Sequence, residues 1–327
     1  EKFQMNHIAI VLARKRWPLS LFMCGCIVSV MTLHIQGCSN PPLKPWHTEK
    51  LTTEFSVKKS DEIRTFEDYL KLEERLFAQL EEKVYARTET GPEYELVRYS
   101  AGSAADPQLR KPNWNRTFEL TTDSPAGGAL LLHGMSDSPY SLRALGETLN
   151  QNNYWVIGLR LPGHGTAPSG LKDIKWEDMA AVVRLCIDHL ASKVGQKPIH
   201  IVGYSTGAPL ALNYSLDALE GSASPLPASL VLISPAIGIH PAAGLAGIKD
   251  GLSWIPGLGG LAWLSIQPEF DPYKYNSFAT NAGGQVHRLT RSVARRISTR
   301  AQSDLLSLIH ISEPTRQLAS SRMPSSA

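Results

Sequence analysis

The chain has 327 residues, 43% hydrophobic and 19% charged, with a formal net charge of +3. That length supports one large core or two small ones, and so slight a charge does not mark a nucleic-acid binder. No zinc-type Cys/His spacing and no Walker or dinucleotide glycine pattern occurs, so no metal and no cofactor is expected.

At the N-terminus Arg14, Lys15 and Arg16 precede an apolar run, Leu19–Leu33, which is short for a spanning helix. Ile35-Gln36-Gly37-Cys38 follows and resembles a bacterial lipobox. The resemblance implies that residues 1–37 are a lipoprotein-type signal peptide and that Cys38 is lipidated, holding the mature protein to a membrane. Ser39 then fits sorting to the outer membrane of the cell envelope. An ordinary secretory signal, with a periplasmic or secreted product, and a single anchor helix are the alternatives. Of the four cysteines, Cys24 and Cys26 lie in the apolar run and Cys38 is the acylation candidate. Only Cys186 remains, so the mature chain has no internal disulfide to form.

Residues 38–60 are polar and proline-bearing and read as a tether. From Asp61 to Tyr85, apolar residues such as Phe66, Tyr69, Leu76 and Leu80 recur at helical spacing among charges, which predicts an amphipathic helix against the main domain. Leu96–Tyr99 and Arg116–Thr121 read as short edge strands separated by a loop.

Strands and helices then alternate. Ala129–Leu132 is a buried strand that runs into His133-Gly134-Met135, and a helix covers Tyr140–Asn150. The strand Tyr154–Leu161 ends in Pro162-Gly163-His164-Gly165, and Trp176–Val194 is a long helix with Cys186 on its inner side. A third strand from Ile199 leads into Gly203-Tyr204-Ser205-Thr206-Gly207, then a helix to about Leu219 and a strand at Ser229–Ser234. Such alternation predicts a mostly parallel sheet covered on both faces, with the functional loops gathered at the carboxyl ends of its strands.

The G-x-S-x-G spacing suits a nucleophile on a sharp strand-to-helix turn, where the flanking glycines let strand and helix approach closely. Ser205 is therefore the candidate nucleophile, with the N–H of Thr206 and the N–H of Met135 as candidate oxyanion donors. His133, Gly134, Gly203 and Gly207 shape the two turns. A turn or N-cap serine is the bland alternative.

The three pieces together, HGM, PGHG and GYSTG in that order, resemble an α/β-hydrolase, with the nearest likeness to monoacylglycerol-lipase-like esterases and the serine aminopeptidase group. The resemblance implies an α/β fold with a cap inserted at about residues 237–280, and a loop-shaping role for His164. Ile237–Phe278 does break the alternation and carries Trp254, Trp263 and a run of glycines; an apolar surface excursion is the alternative. Ala282–Arg300 reads as a basic helix, with Arg288, Arg291 and Arg295 on a solvated face and Arg296 and Arg300 nearby; contact with anionic lipid is the alternative.

In this fold the triad order is Ser, then acid, then His. Asp250, Asp271, Asp304, His287 and His310 sit poorly for either role, so no acid and no base is assigned. Ser307–Arg316 and Ser321–Ala327 resemble translated sequencing-adapter DNA, or a natural Ser-rich tail. The expected organisation is thus a hydrolase domain over 61–305 that is incomplete at its C-terminus and lacks its last core strands, followed by a non-native tail over 306–327. The expected function is a serine carboxylic-ester hydrolase acting on an acyl-ester or lipid substrate, truncated before its acid and base and inactive in that form. A surface-anchored binding protein on the same scaffold, or a peptidase or thioesterase, are the alternatives.

Overall fold

The computed structural model describes residues 41–237 and 259–301, all but Pro41 within the unit Pro42–Ala327. The proposed signal peptide, Cys38, Asp250, Asp304, His310 and the 306–327 tail lie outside the described residues.

The segment expected to tether is instead packed. Trp46, Leu51 and Phe55 are buried, and a short helical turn covers Pro45–Thr48. Three large apolar side chains in so short a stretch have more to gain from burial than its prolines and polar residues gain from water. The amphipathic helix follows as α1 (Phe66–Lys83). Thr65 caps it in a reciprocal box: Thr65 Oγ1 accepts from Asp68 N and an Asp68 carboxylate oxygen accepts from Thr65 N, both at 3.1 Å. Its N-terminal half packs on the main core and its C-terminal half forms a second cluster with Trp46, Leu51, Tyr85 and Tyr99.

Leu96–Tyr99 is turn, not strand. Tyr99 is buried against Trp46 and Tyr85, and its hydroxyl donates to Thr166 O; the aromatic is satisfied by packing, without a sheet partner. The other expected edge strand is present as β1 (Phe118–Leu120). After it come β2 (Gly127–Leu132), α2 (Arg143–Gln151), β3 (Tyr154–Leu159), α3 (Trp176–Val194), β4 (Ile199–Tyr204), α4 (Gly207–Leu219) and β5 (Ser229–Ile233). A short antiparallel pair, β6 (Trp263–Ser265) and β7 (Phe278–Ala279), precedes α5 (Thr280–Ala301).

The main sheet has the order β1-β3-β2-β4-β5, with β1 antiparallel and the rest parallel. Alternate residues of β2 feed opposite cores, as the two-residue period requires. Leu130 and Leu132 pack with α3, α4 and α5, whereas Ala129 and Leu131 pack under α2. Cys186 is buried on the α3 side. On β5 the α2-side face is uncovered: Val231 and Ile233, level with Val202 and Tyr204, are 47% and 37% exposed. Among the described residues β5 is an edge strand.

The basic helix divides as its spacing suggests only in part. Arg288, Arg291 and Arg295 are exposed. Arg296 turns inward, pairing with Asp217 and Glu220 at 2.8 Å each and donating to Asn213, while Arg300 pairs with Glu220. Asp217 on α4 and Glu220 just after it supply the reason, since they place carboxylates where α5 crosses.

Candidate active site

Three loops leave the carboxyl ends of β2, β3 and β4, and the chain brings them together at backbone distance. In the turn after β4, Ser205 has φ of +51°, a left-handed conformation that a residue with a Cβ adopts at a cost. The turn is enforced on all sides. Ser205 N donates to Ile233 O of β5 at 3.0 Å, and Ser205 O accepts from Ala208 N and Ala236 N. A Cβ on Gly203 would lie 2.5 Å from Gly207 O, and one on Gly207 would lie 2.1 Å from Leu132 O. Both glycines are therefore required for β2, β4 and α4 to approach this closely. Thr206 follows as the buried N-cap residue of α4, so the positive end of the helix lies under the serine.

The turn after β2 sits against this elbow: a Cβ on Gly134 would be 3.1 Å from Ser205 Cβ. Met135 is half-buried and the next residue, Ser136, is again left-handed, at +64°. Among the described residues the N–H groups of Met135 and Thr206 make no hydrogen bond, nor does the Ser205 hydroxyl. Two unpartnered backbone donors close to an unpartnered hydroxyl are a set that could hold an oxygen of a bound carbonyl group.

His133 is fully buried with both nitrogens engaged. Its Nε2 accepts from Leu161 N at 3.1 Å, so Nδ1 carries the proton and donates to Gly134 O at 2.8 Å. Burial holds its pKa well below the usual histidine range, with the nearby His164 and Arg160 acting in the same direction. It fastens the β2 and β3 loops as a neutral group and has no free nitrogen for proton transfer. His164 is also buried and lowered to about 4, chiefly by burial. Its Nδ1 lies 2.9 Å from Pro162 O and its Nε2 3.2 Å from the Met135 sulfur. The carbonyl is the better acceptor, so Nε2 meets the thioether in a packing contact that ties the PGHG loop to Met135.

Two further features hold these loops, and neither is visible in the motifs. Tyr275 bridges them: its N–H donates to Ser136 O at 2.7 Å, and its hydroxyl accepts from Thr166 N and donates to Gly163 O. Arg160, immediately after β3, is clamped by Glu54 through two parallel bonds of 3.0 and 3.1 Å and by Glu73 at 3.0 Å. The same guanidinium donates to His164 O, and Glu54 also accepts from Gly163 N. The N-terminal segment and α1 thus grip the PGHG loop. Glu73 carries its own signal in the sequence, a carboxylate four residues after Tyr69 and three before Leu76 on the apolar stripe of α1.

The other sequence candidates do not reach the elbow. Asp271 spends its carboxylate on Tyr273 N and Lys274 N in its own turn. His287 is half-buried on α5, and among the described residues neither bonds Ser205.

Residues 129–317, more than half of the chain, match the family model described as the alpha/beta hydrolase family. A segment of 85 residues is 33% identical to the thermostable monoacylglycerol lipase of Bacillus sp. (strain H-257). The segment is 26% of this chain and spans about a third of that relative, 33% of its length. Among solved structures, one from the study of the metagenome-derived lipolytic enzymes LipS and LipT aligns with a TM-score of 0.46 at 19% identity, covering 56% of this chain and 71% of that one. The monoacylglycerol lipase of Paleococcus ferrophilus aligns with a TM-score of 0.40 at 19% identity, covering 55% and 71%. With its mostly parallel sheet and this match over more than half its length, the chain belongs to the alpha/beta hydrolase family.

Proposed function

We propose that the protein is a carboxylic-ester hydrolase of the lipase and esterase type, working through an acyl-enzyme on Ser205. One observation carries the reading: the left-handed Ser205 stands at the N-terminus of α4 beside the turn holding Met135, and the hydroxyl and the N–H groups of Met135 and Thr206 have no partner among the described residues. Ser205 Oγ attacks the ester carbonyl, forming the bond from oxygen to carbon. The carbonyl oxygen becomes an oxyanion held by the two N–H groups, each worth about 3 kcal/mol of barrier. The alcohol then leaves with the proton that the serine gave up, and water releases the acid in a second, equivalent step. A hydroxyl needs a base to lose that proton, and the base needs a carboxylate to orient it. In this reading both lie C-terminal to the described residues, acid before histidine.

Similarity to a protein named as a monoacylglycerol lipase supports a lipid or other acyl ester as substrate. A lipidated Cys38 would place the enzyme at a membrane of the cell envelope; in this reading Cys38→Ser removes a fatty-acyl label and moves the protein to the soluble fraction. A second reading, a binding protein on a hydrolase scaffold, draws on the lack of a histidine or carboxylate bonded to Ser205 among the described residues. One experiment separates the two. The product of the complete gene, resequenced from source DNA, is treated with a fluorophosphonate and assayed on short p-nitrophenyl esters. Labelling and turnover, both lost in Ser205→Ala, support the hydrolase; an unlabelled, folded product supports the binding protein.

A further inference from the structure

Away from the elbow, α1 and the loop that runs from Arg98 to Arg116 enclose a cavity of about 450 Å³. Gly165 and Thr166, at the end of the PGHG loop, form part of its wall. The charged residues lining it are four cations, Arg98, Arg110, Lys111 and Arg116, and two carboxylates, Glu74 and Glu81. Glu81 already accepts from the Gln108 amide at 2.7 Å. Among the described residues none of the four cations makes an ion pair.

Arg98 is the unusual member. It is 1% exposed, yet its guanidinium donates only to neutral oxygens: Asn115 Oδ1 at 3.1 Å, Gly165 O at 3.3 Å and Asp271 O at 3.4 Å. Its Nε–H has no partner. The rings of Tyr99 and Tyr275 lie 5.5 and 5.3 Å from it and offset only part of the charge. The carboxylate of Glu269 acts on it from outside ion-pair distance and is itself held by the N–H groups of Asn276 and Ser277. Arg160, equally buried, shows the usual solution: two carboxylates in direct contact. A buried cation without a counter-ion is costly, and a buried donor without an acceptor adds to that cost. Arg110 uses two of its five donors on the carbonyls of Asp106 and Ala104, and Arg116 lies over the Phe77 ring. Glu73 and Glu74 act on Arg116, which leaves Arg98, Arg110 and Lys111 facing only Glu81 among the lining carboxylates.

We infer that this cavity is a binding site for a small oxyanion, a phosphate or carboxylate group, with Arg98 as the buried anchor and Arg110 and Lys111 at the mouth. Planar guanidinium donors in a partly enclosed site match such groups in charge and geometry. Either a free anion or an anionic lipid headgroup can supply that chemistry.

The test reads binding, not turnover, so its failure leaves the hydrolase reading untouched. The full chain is titrated calorimetrically with sodium phosphate at constant ionic strength, and in parallel with vesicles of phosphatidylglycerol or of phosphatidylcholine. The double variant Arg110→Ala/Lys111→Ala removes two exposed side chains and keeps the fold; Arg98→Met is the stringent variant where it folds. Saturable binding of one phosphate, or preference for phosphatidylglycerol vesicles, weakened about fivefold or more by the double variant, supports the site. The arm with the tighter binding identifies the source. No saturable binding in either arm, or binding that ignores the double variant, overturns it.

Discussion

Replacing Arg160 by methionine is the sharpest probe of how the site is held. The side chain is fully buried and bonds Glu54 twice, Glu73 once, and the carbonyls of Leu161 and His164. Methionine fills much of the volume but satisfies none of these groups. Glu73, 3% exposed, would keep only Thr117 N and Thr117 Oγ1 as donors to its charge. Breaking a buried ion pair from one side costs about 3–5 kcal/mol because a charge is stranded. Against a typical domain stability of about 5–15 kcal/mol, that is a large fraction. The assay is urea denaturation followed by tryptophan fluorescence, with unchanged slope and a lower midpoint expected. Adding Glu54→Met and Glu73→Leu should recover part of the loss, since no charge then stays buried. Recovery stays incomplete because the amides of Gly163 and Thr117 lose their acceptors, at about 1–3 kcal/mol each. A loss below about 1 kcal/mol for Arg160→Met would refute the reasoning, because it would mean the cluster is screened like a surface pair.

Three other outcomes are expected. Gly207→Ala drives a methyl to 2.1 Å from the Leu132 carbonyl oxygen, so it should cost about 3 kcal/mol or more in the same denaturation assay, where a loss under about 1 kcal/mol would count against the packing described. Ser205→Gly abolishes fluorophosphonate labelling yet should raise stability by about 1 kcal/mol, because glycine adopts the +51° φ freely; a destabilised variant would show that the turn is unstrained. For His47 and His164, both lowered by burial to about 4 from 6.5, the unfolded chain binds protons that the folded chain refuses. Stability then falls as pH drops from 6.5 towards about 4, at up to about 1.4 kcal/mol per pH unit for each. Asp137 and Glu269, raised by burial, oppose this slope, so the check is a difference: His47→Gln should flatten the denaturation midpoint against pH across that window, and an unchanged slope would mean His47 is not held neutral.

What the sequence determines by itself is local and periodic. The short unbroken apolar run of β2, the apolar stripe of α1 and the uninterrupted pattern of α3 place those elements to within a few residues, because side-chain pattern follows backbone geometry. The HGM, PGHG and GYSTG loops are legible for the same reason: glycine and histidine stand where a turn admits little else. What only the tertiary structure decides is how distant polar groups are paired. Arg160 finds its carboxylates 87 and 106 positions away, and Tyr275 reaches back 112 positions to Gly163. A buried charge must be met by whichever residue the fold carries past it, and no spacing rule records that. The expected tether becomes part of the core on the same principle, once Trp46, Phe55 and Glu54 have a surface to meet. The Gly203–Gly207 turn is written in five consecutive residues; the scaffold that holds its neighbouring loops is assembled from both ends of the domain, since only folding brings those ends into contact.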